Sequence, residues 1–233
     1  MVLIGENISH KCAITSTDKF RCDTPYYLGL AALQSIGALT GTGSECSTPA
    51  WTVYTGDLAS HDSQSQLSQA YVEYSETSIY DMLKSYIKGP VFAVLGNHDS
   101  SPEAIDGPYS LPGPVGQQFS WNYKHVSGLW KNNGWLDEAE SAQAATHYAA
   151  YSVKNQYGLR IITLNTDFWY KSNYLNFINT TDPDVSGTFS FLIQELQNAE
   201  DAGERVWILG HVLSGWDGSN PVNVPLSNAD SFC

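Results

Sequence analysis

Three polar clusters each close a short apolar run. Thr55-Gly-Asp-Leu-Ala-Ser-His-Asp62 follows "WTVY", Gly96-Asn-His-Asp99 follows "VFAVL", and Gly210-His211 follows "VWIL". Carboxylate, amide oxygen and imidazole together suit a divalent transition metal. Asp57, Asn97 and His211 are therefore the candidate metal donors. His61, four residues after Asp57, and His98, next to Asn97, would then flank a substrate. Imidazoles titrate near neutrality, which suits proton transfer to a leaving oxygen. Asp62 and Asp99 are expected to orient those rings or to cap the following helices. Glycine before three of the donors (Gly56, Gly96, Gly210) would let the backbone turn sharply beside an ion.

A single Gly-Asp or Gly-His after a strand is usually a turn or a cap. Three such clusters at one topological position, holding three of the six histidines, point instead to metal-dependent chemistry. His10, His125 and His147 have no comparable context and read as surface or packing residues. The sequence has no Gly-x-Ser-x-Gly elbow, no phosphate-binding loop ending in Lys-Ser/Thr and no dinucleotide fingerprint.

The elements that must position these residues follow from periodicity. The runs at 51–54, 91–95, 159–164 and 205–209 are β-branched or aromatic, too short for helices, and closed by polar residues, so they predict buried strands. Helices are predicted over 25–39, with Pro25 in the first turn, over 64–87 and over 186–202, with Gly203 as the stop. In 64–87 the apolar face is expected to carry Leu67, Tyr71, Tyr74, Met82, Leu83 and Tyr86. In 186–202 it should carry Phe189, Leu192, Ile193 and Leu196. Strands alternating with helices predict a layered α/β fold, with a central, mostly parallel sheet flanked by helices. Ligands bind beyond the carboxyl ends of such strands, where Asp57, Asn97, Asn165 with Asp167, and His211 would stand. The segment 100–150, rich in Gly, Pro and aromatics, reads as an insertion of loops and short helices that would wall the site. Its aromatics over 109–135 could contact a lipid or choline head group, or could simply pack.

Bulk properties bound the partners. A chain of 233 residues suits one large domain, and the 24 acidic against 11 basic residues leave no basic surplus for a nucleic-acid backbone. No apolar run is long enough to cross a membrane, and "MVLIG" lacks the features of a signal peptide. Cys12, Cys22, Cys46 and Cys233 form no Cys-x-x-Cys pair, and their pairing is open. With the acceptor patterns at Asn7 and Asn179 they lean toward the secretory pathway, hence a secreted or lysosome- or vacuole-like location.

In this order, "GDLASHD", "GNHD" and "GH" resemble the calcineurin-like metallophosphoesterases, and specifically their acid sphingomyelinase branch with its secreted fungal members. "CDTP", "LRIITLNTDFW" and "INTTDP" running into "LIQELQNAEDAGERVWILGH" extend the resemblance over nearly the whole chain. It implies a sphingomyelin phosphodiesterase-like activity with two zinc ions. Asp57 would bridge the ions, Asn97 and His211 would bind the second, and His98, more than His61, would contact or protonate the ester oxygens. The ions would hold the phosphoryl oxygens and activate a water for in-line attack.

The sequence departs from that pattern at both ends. The Asp-x-His pair expected before Asp57 and the closing Gly-His-x-His are not found, so residues 1–233 are expected to be one partial domain, truncated at both ends, holding one zinc ion or none and with reduced or no turnover. Two alternatives share the fold: a non-catalytic secreted binding protein, and a phosphomonoesterase or nucleotide hydrolase.

Overall fold

The computed structural model describes residues 23–40 and 51–213, except 64, 110, 112, 180 and 183. Its elements run α1 (Tyr26–Thr40), β1 (Thr52–Tyr54), α2 (Gln69–Tyr86), β2 (Val91–Ala93), α3 (Gly113–Gln118), α4 (Asn122–Asn132), α5 (Glu138–Thr146), β3 (Ser152–Lys154), β4 (Leu159–Thr163), α6 (Thr188–Asp201) and β5 (Arg205–Leu209). Two 3-10 turns, Thr166–Trp169 and Tyr174–Phe177, follow β4. This is the expected α/β class. The four cysteines, Asn7 and His10 lie outside the described residues.

All four anticipated strands form, but only β2 is buried throughout; β1 is partly exposed, and β5 leaves Trp207 and Ile208 exposed. β1 and β2 pair in parallel, with Thr52 opposite Val91, and β4 and β5 pair in parallel from Leu159 opposite Arg205. Among the described residues the strands therefore form two sheets, β1-β2 and β3-β4-β5, rather than the single central sheet anticipated, and the two approach each other through flanking residues of β1 and β5. The rings of Trp51 and Trp207 meet at 4.8 Å at one end, and His211 Nδ1 donates to the Thr55 carbonyl at the other. The carboxyl ends of β1, β2, β4 and β5 nevertheless come together at one end of the two sheets. β3, antiparallel to β4, was not anticipated: only its central Val153 is buried, too little pattern to read in three residues.

The helices form with shifted bounds and faces. α2 begins after Ser68, whose hydroxyl accepts the Tyr71 N–H at 3.2 Å, so residues 65–68 are a turn rather than helix. Its buried stripe is Val72, Ser75, Glu76, Ile79, Tyr80 and Leu83, while Tyr74 and Tyr86 are exposed. The expected face was rotated because tyrosine reads as apolar yet is comfortable in water. In α6 the buried side chains are Thr188, Phe191, Leu192, Glu195 and Ala199, and Ile193 is exposed. Arg160, bonded to Glu195 and Glu204, ties α6 and the start of β5 to β4.

The segment 100–150 forms the short helices anticipated, and they do more than wall the site. α4 and α5 pack into the core, and Tyr123 and Trp130 are fully buried. Trp130 and Trp135 meet the ring of Tyr80 edge-on at 6.0 and 5.8 Å. The Tyr151 hydroxyl donates to the Ala93 carbonyl at 3.1 Å, joining β2 to the chain entering β3. Packing thus accounts for most of the aromatics over 109–135, with Tyr109 the exposed one. Among the described residues no helix is long and apolar enough to cross a membrane.

Candidate metal centre

Where these strand ends meet, the chain turns abruptly. Gly56 adopts φ +86° and Asp57 φ +71°, a backbone region that L side chains rarely occupy. The turn is fixed by Asp99. Its Oδ2 accepts the N–H groups of Asp57 and Gly96, each at 2.8 Å, and its Oδ1 accepts that of Leu58 at 2.6 Å. Asp99 therefore neither orients a histidine nor caps a helix, but splices the loop after β1 to the loop after β2. Burial raises its carboxyl to about 6, helped by the charge of Asp57, and the three N–H bonds oppose that rise.

Asp57, Asn97 and His211 come together at this splice. His211 Nε2 lies 3.2 Å from Asn97 Oδ1 and 3.4 Å from Asp57 Oδ1. The Nδ1 of the same ring is 2.7 Å from the Thr55 carbonyl, which can only accept, so Nδ1 carries the hydrogen. The Nε2 lone pair then faces two oxygens. A cation satisfies all three atoms at once, and the carbonyl partner behind the ring fixes the tautomer that ligation needs. The donor set thus fits a divalent ion. Among the described residues no group of three or more His, Cys, Asp or Glu side chains is arranged to hold one; the trio includes an amide, and Asp57 is its sole carboxylate. His211 is seated by Thr166, whose hydroxyl accepts the N–H groups of His211 at 3.0 Å and Val212 at 2.7 Å.

His61 and His98 lie against each other, ring centroids 4.1 Å apart. The His98 side chain is 6% exposed and that of His61 is 62% exposed. His98 also donates its backbone N–H to Asp57 Oδ1 at 3.0 Å. Asp62 does not reach the ring of His61; its carboxylate accepts the Ser60 hydroxyl at 2.7 Å. The ring partner is Asp23, whose Oδ1 is 2.6 Å from His61 Nδ1.

Asn165 and Asp167 sit at the end of β4 as anticipated but turn inward, away from the metal donors. Asn165 donates to Asp106 Oδ2 at 2.7 Å, and Asp167 is wholly buried with both carboxylate oxygens unpartnered. Burial lifts Asp106 to about 7, and burial with the neighbouring carboxylates raises Asp167 far above the usual range, so both favour the neutral form more than an exposed aspartate does. His125 faces buried Glu76 at 3.4 Å, and His147 bonds to the Gln143 carbonyl, so both pack as expected. Asn179 is exposed, with its Oδ1 accepting the Thr181 hydroxyl at 2.7 Å. Sequence reasoning missed the roles of Asp23 and Thr166. Each acts across a long stretch of chain, 38 and 45 residues, which no local spacing rule reaches.

The profile of the calcineurin-like phosphoesterase family matches residues 30–226. The chain is 34% identical over 208 residues to sphingomyelinase phosphodiesterase C of Dictyostelium discoideum, covering 89% of this chain and 42% of that protein. It is 32% identical over 196 residues to sphingomyelin phosphodiesterase of Homo sapiens, covering 84% and 29%. A cyclic GMP-AMP phosphodiesterase of Homo sapiens is 34% identical over 197 residues, covering 84% and 39%. The chain thus spans less than half the length of each of these relatives.

Proposed function

The chain belongs to the calcineurin-like phosphoesterase family, a family of metal-dependent enzymes, and from its site we propose that it carries the core of a phosphodiester hydrolase. The observation that carries this reading is the convergence of Asp57, Asn97 and His211 on one point beside a pair of histidines. The relatives named as phosphodiesterases support the diester class. Sphingomyelin-like phospholipids are the first substrate to test, and a cyclic dinucleotide is the second because one relative is named for that activity.

Asp57, Asn97 and His211 would hold a divalent ion, with zinc favoured by imidazole and carboxylate donors. When bound, such an ion supplies Lewis-acid charge for the phosphoryl oxygens. Asp99 keeps the Asp57 turn in place, so the carboxylate need not reorganise on binding. The resemblance favours His98 for the ester oxygens, but its ring is 6% exposed against 62% for His61, so His61 is the one assigned here to meet the substrate and to give a proton to the departing alcohol oxygen. His98 packs beneath that ring and through its N–H steadies Asp57. The exposed Asn179 acceptor supports a secretory destination, where the cysteines could pair.

The test is hydrolysis of sphingomyelin, cyclic GMP-AMP and an aryl phosphodiester side by side, with and without added zinc. Zinc-dependent cleavage of a diester that Asp57→Asn abolishes is expected. Cleavage that survives Asp57→Asn, or a clear preference for monoesters, would remove the proposal.

A further inference from the structure

Asp23 stands just before α1, and both of its carboxylate oxygens hold His61. Oδ1 lies 2.6 Å from His61 Nδ1, and Oδ2 accepts the His61 backbone N–H at 2.8 Å. A carboxylate offers only acceptor atoms, so the ring hydrogen of this contact sits on Nδ1 and the Nε2 end is left for another partner. The Asp23 side chain is 14% exposed while the ring it grips is 62% exposed, so the carboxylate forms a sheltered base under an open imidazole. Without that base an exposed histidine would turn about its side-chain torsions and exchange its two neutral forms. With it, ring plane, tautomer and position against His98 are all set.

We propose that Asp23 is a positioning residue for the proposed diester hydrolysis: it holds the Nδ1–H of His61, so that the protonated ring gives its Nε2 proton to the departing alcohol oxygen and is left as the neutral Nδ1–H tautomer. The inference rests on the hydrolase reading for its meaning, but the clamp itself is tested independently. A carboxylate behind a catalytic imidazole serves turnover by fixing tautomer and orientation rather than by exchanging its own proton. Its loss should therefore lower kcat and leave KM nearly unchanged.

The experiment pairs side-chain nitrogen NMR of the histidines with steady-state kinetics, on the wild-type chain and on Asp23→Ala, Asp23→Asn and Asp23→Glu. The wild type should show His61 as the Nδ1–H tautomer once neutral. Asp23→Ala should move it toward the Nε2–H form and reduce kcat about tenfold or more. Asp23→Asn, which keeps an acceptor oxygen, should retain much of the Nδ1–H signal and also serves if the alanine variant folds poorly. Asp23→Glu should restore both readouts in part. Wild-type His61 in the Nε2–H form, or an Asp23→Ala spectrum identical to wild type, overturns the proposal. A normal wild-type tautomer with no diester cleavage by any variant overturns the hydrolase reading and leaves the clamp standing.

Discussion

Asp99 holds Asp57 by its backbone: the Asp99 Oδ2 accepts the Asp57 N–H at 2.8 Å, while Oδ1 takes the next N–H at 2.6 Å. The candidate metal carboxylate therefore sits on a turn kept in an unusual backbone region by a second, buried carboxylate. Hydrogen bonds to a charged group contribute about 1.5–3 kcal/mol each. Asp99→Ala should lower unfolding free energy by about 3 kcal/mol or more and weaken zinc binding about 10–100-fold. Chemical denaturation and zinc titration check both, and zinc affinity unchanged in a folded variant would contradict the role.

Gly96 admits no side chain. A Cβ there would lie 2.5 Å from Asp57 Oδ1, 2.6 Å from Asp57 N and 3.0 Å from His211 Cε1. Gly96→Ala should push two donors apart, costing about 1–3 kcal/mol in stability and a larger share of zinc affinity. Calorimetric titration of the variant decides it; wild-type affinity would show that the donors do not meet there.

Thr166 seats His211 through one hydroxyl oxygen that accepts two N–H groups. Thr166→Val keeps the shape but leaves both donors unpaired, at about 2–4 kcal/mol. Thr166→Ser retains the acceptor and should cost much less. Thermal melts of the two variants should separate them clearly, and equal losses would assign the effect to packing.

Asp106 gives a stability that depends on pH. Its carboxyl rises from 3.8 to about 7 on folding, chiefly by burial. Between those values the folded protein holds a proton that the unfolded chain has released, so stability falls as pH rises through that window. Asp106→Asn retains an acceptor for Asn165 and should flatten this part of the profile. Urea melts at about pH 4.5 and about pH 7.5 measure it; a slope as steep in the variant as in wild type would place the buried proton elsewhere.

The strands and the donor trio were legible because each strand is a short apolar run ended by chemistry-bearing residues. The apolar runs set the strands, and two parallel pairs, β1-β2 and β4-β5, then brought their polar ends together. Burial direction was harder to read. Tyr74 and Ile193 lie on outward faces, and Asn165 and Asp167 are buried, with Asn165 bonded to Asp106, although their positions at the end of β4 match those of the candidate donors. Strand ends fix where a residue stands, while the neighbouring loops decide which way it turns. The supports are least legible of all. Asp23 and Thr166 act through contacts 38 and 45 residues away in sequence, and Asp99, read as a ring partner, instead binds backbone N–H groups that no side-chain pattern displays.

Zinc retained after equilibrium dialysis, measured by elemental analysis on wild type, Asp57→Asn, Asn97→Ala and His211→Ala, tests the metal centre most directly. Roughly one ion per wild-type chain is expected from a three-donor site, with binding lost or greatly weakened in each variant. A wild-type chain that keeps no zinc, or variants that keep as much as wild type, would contradict it.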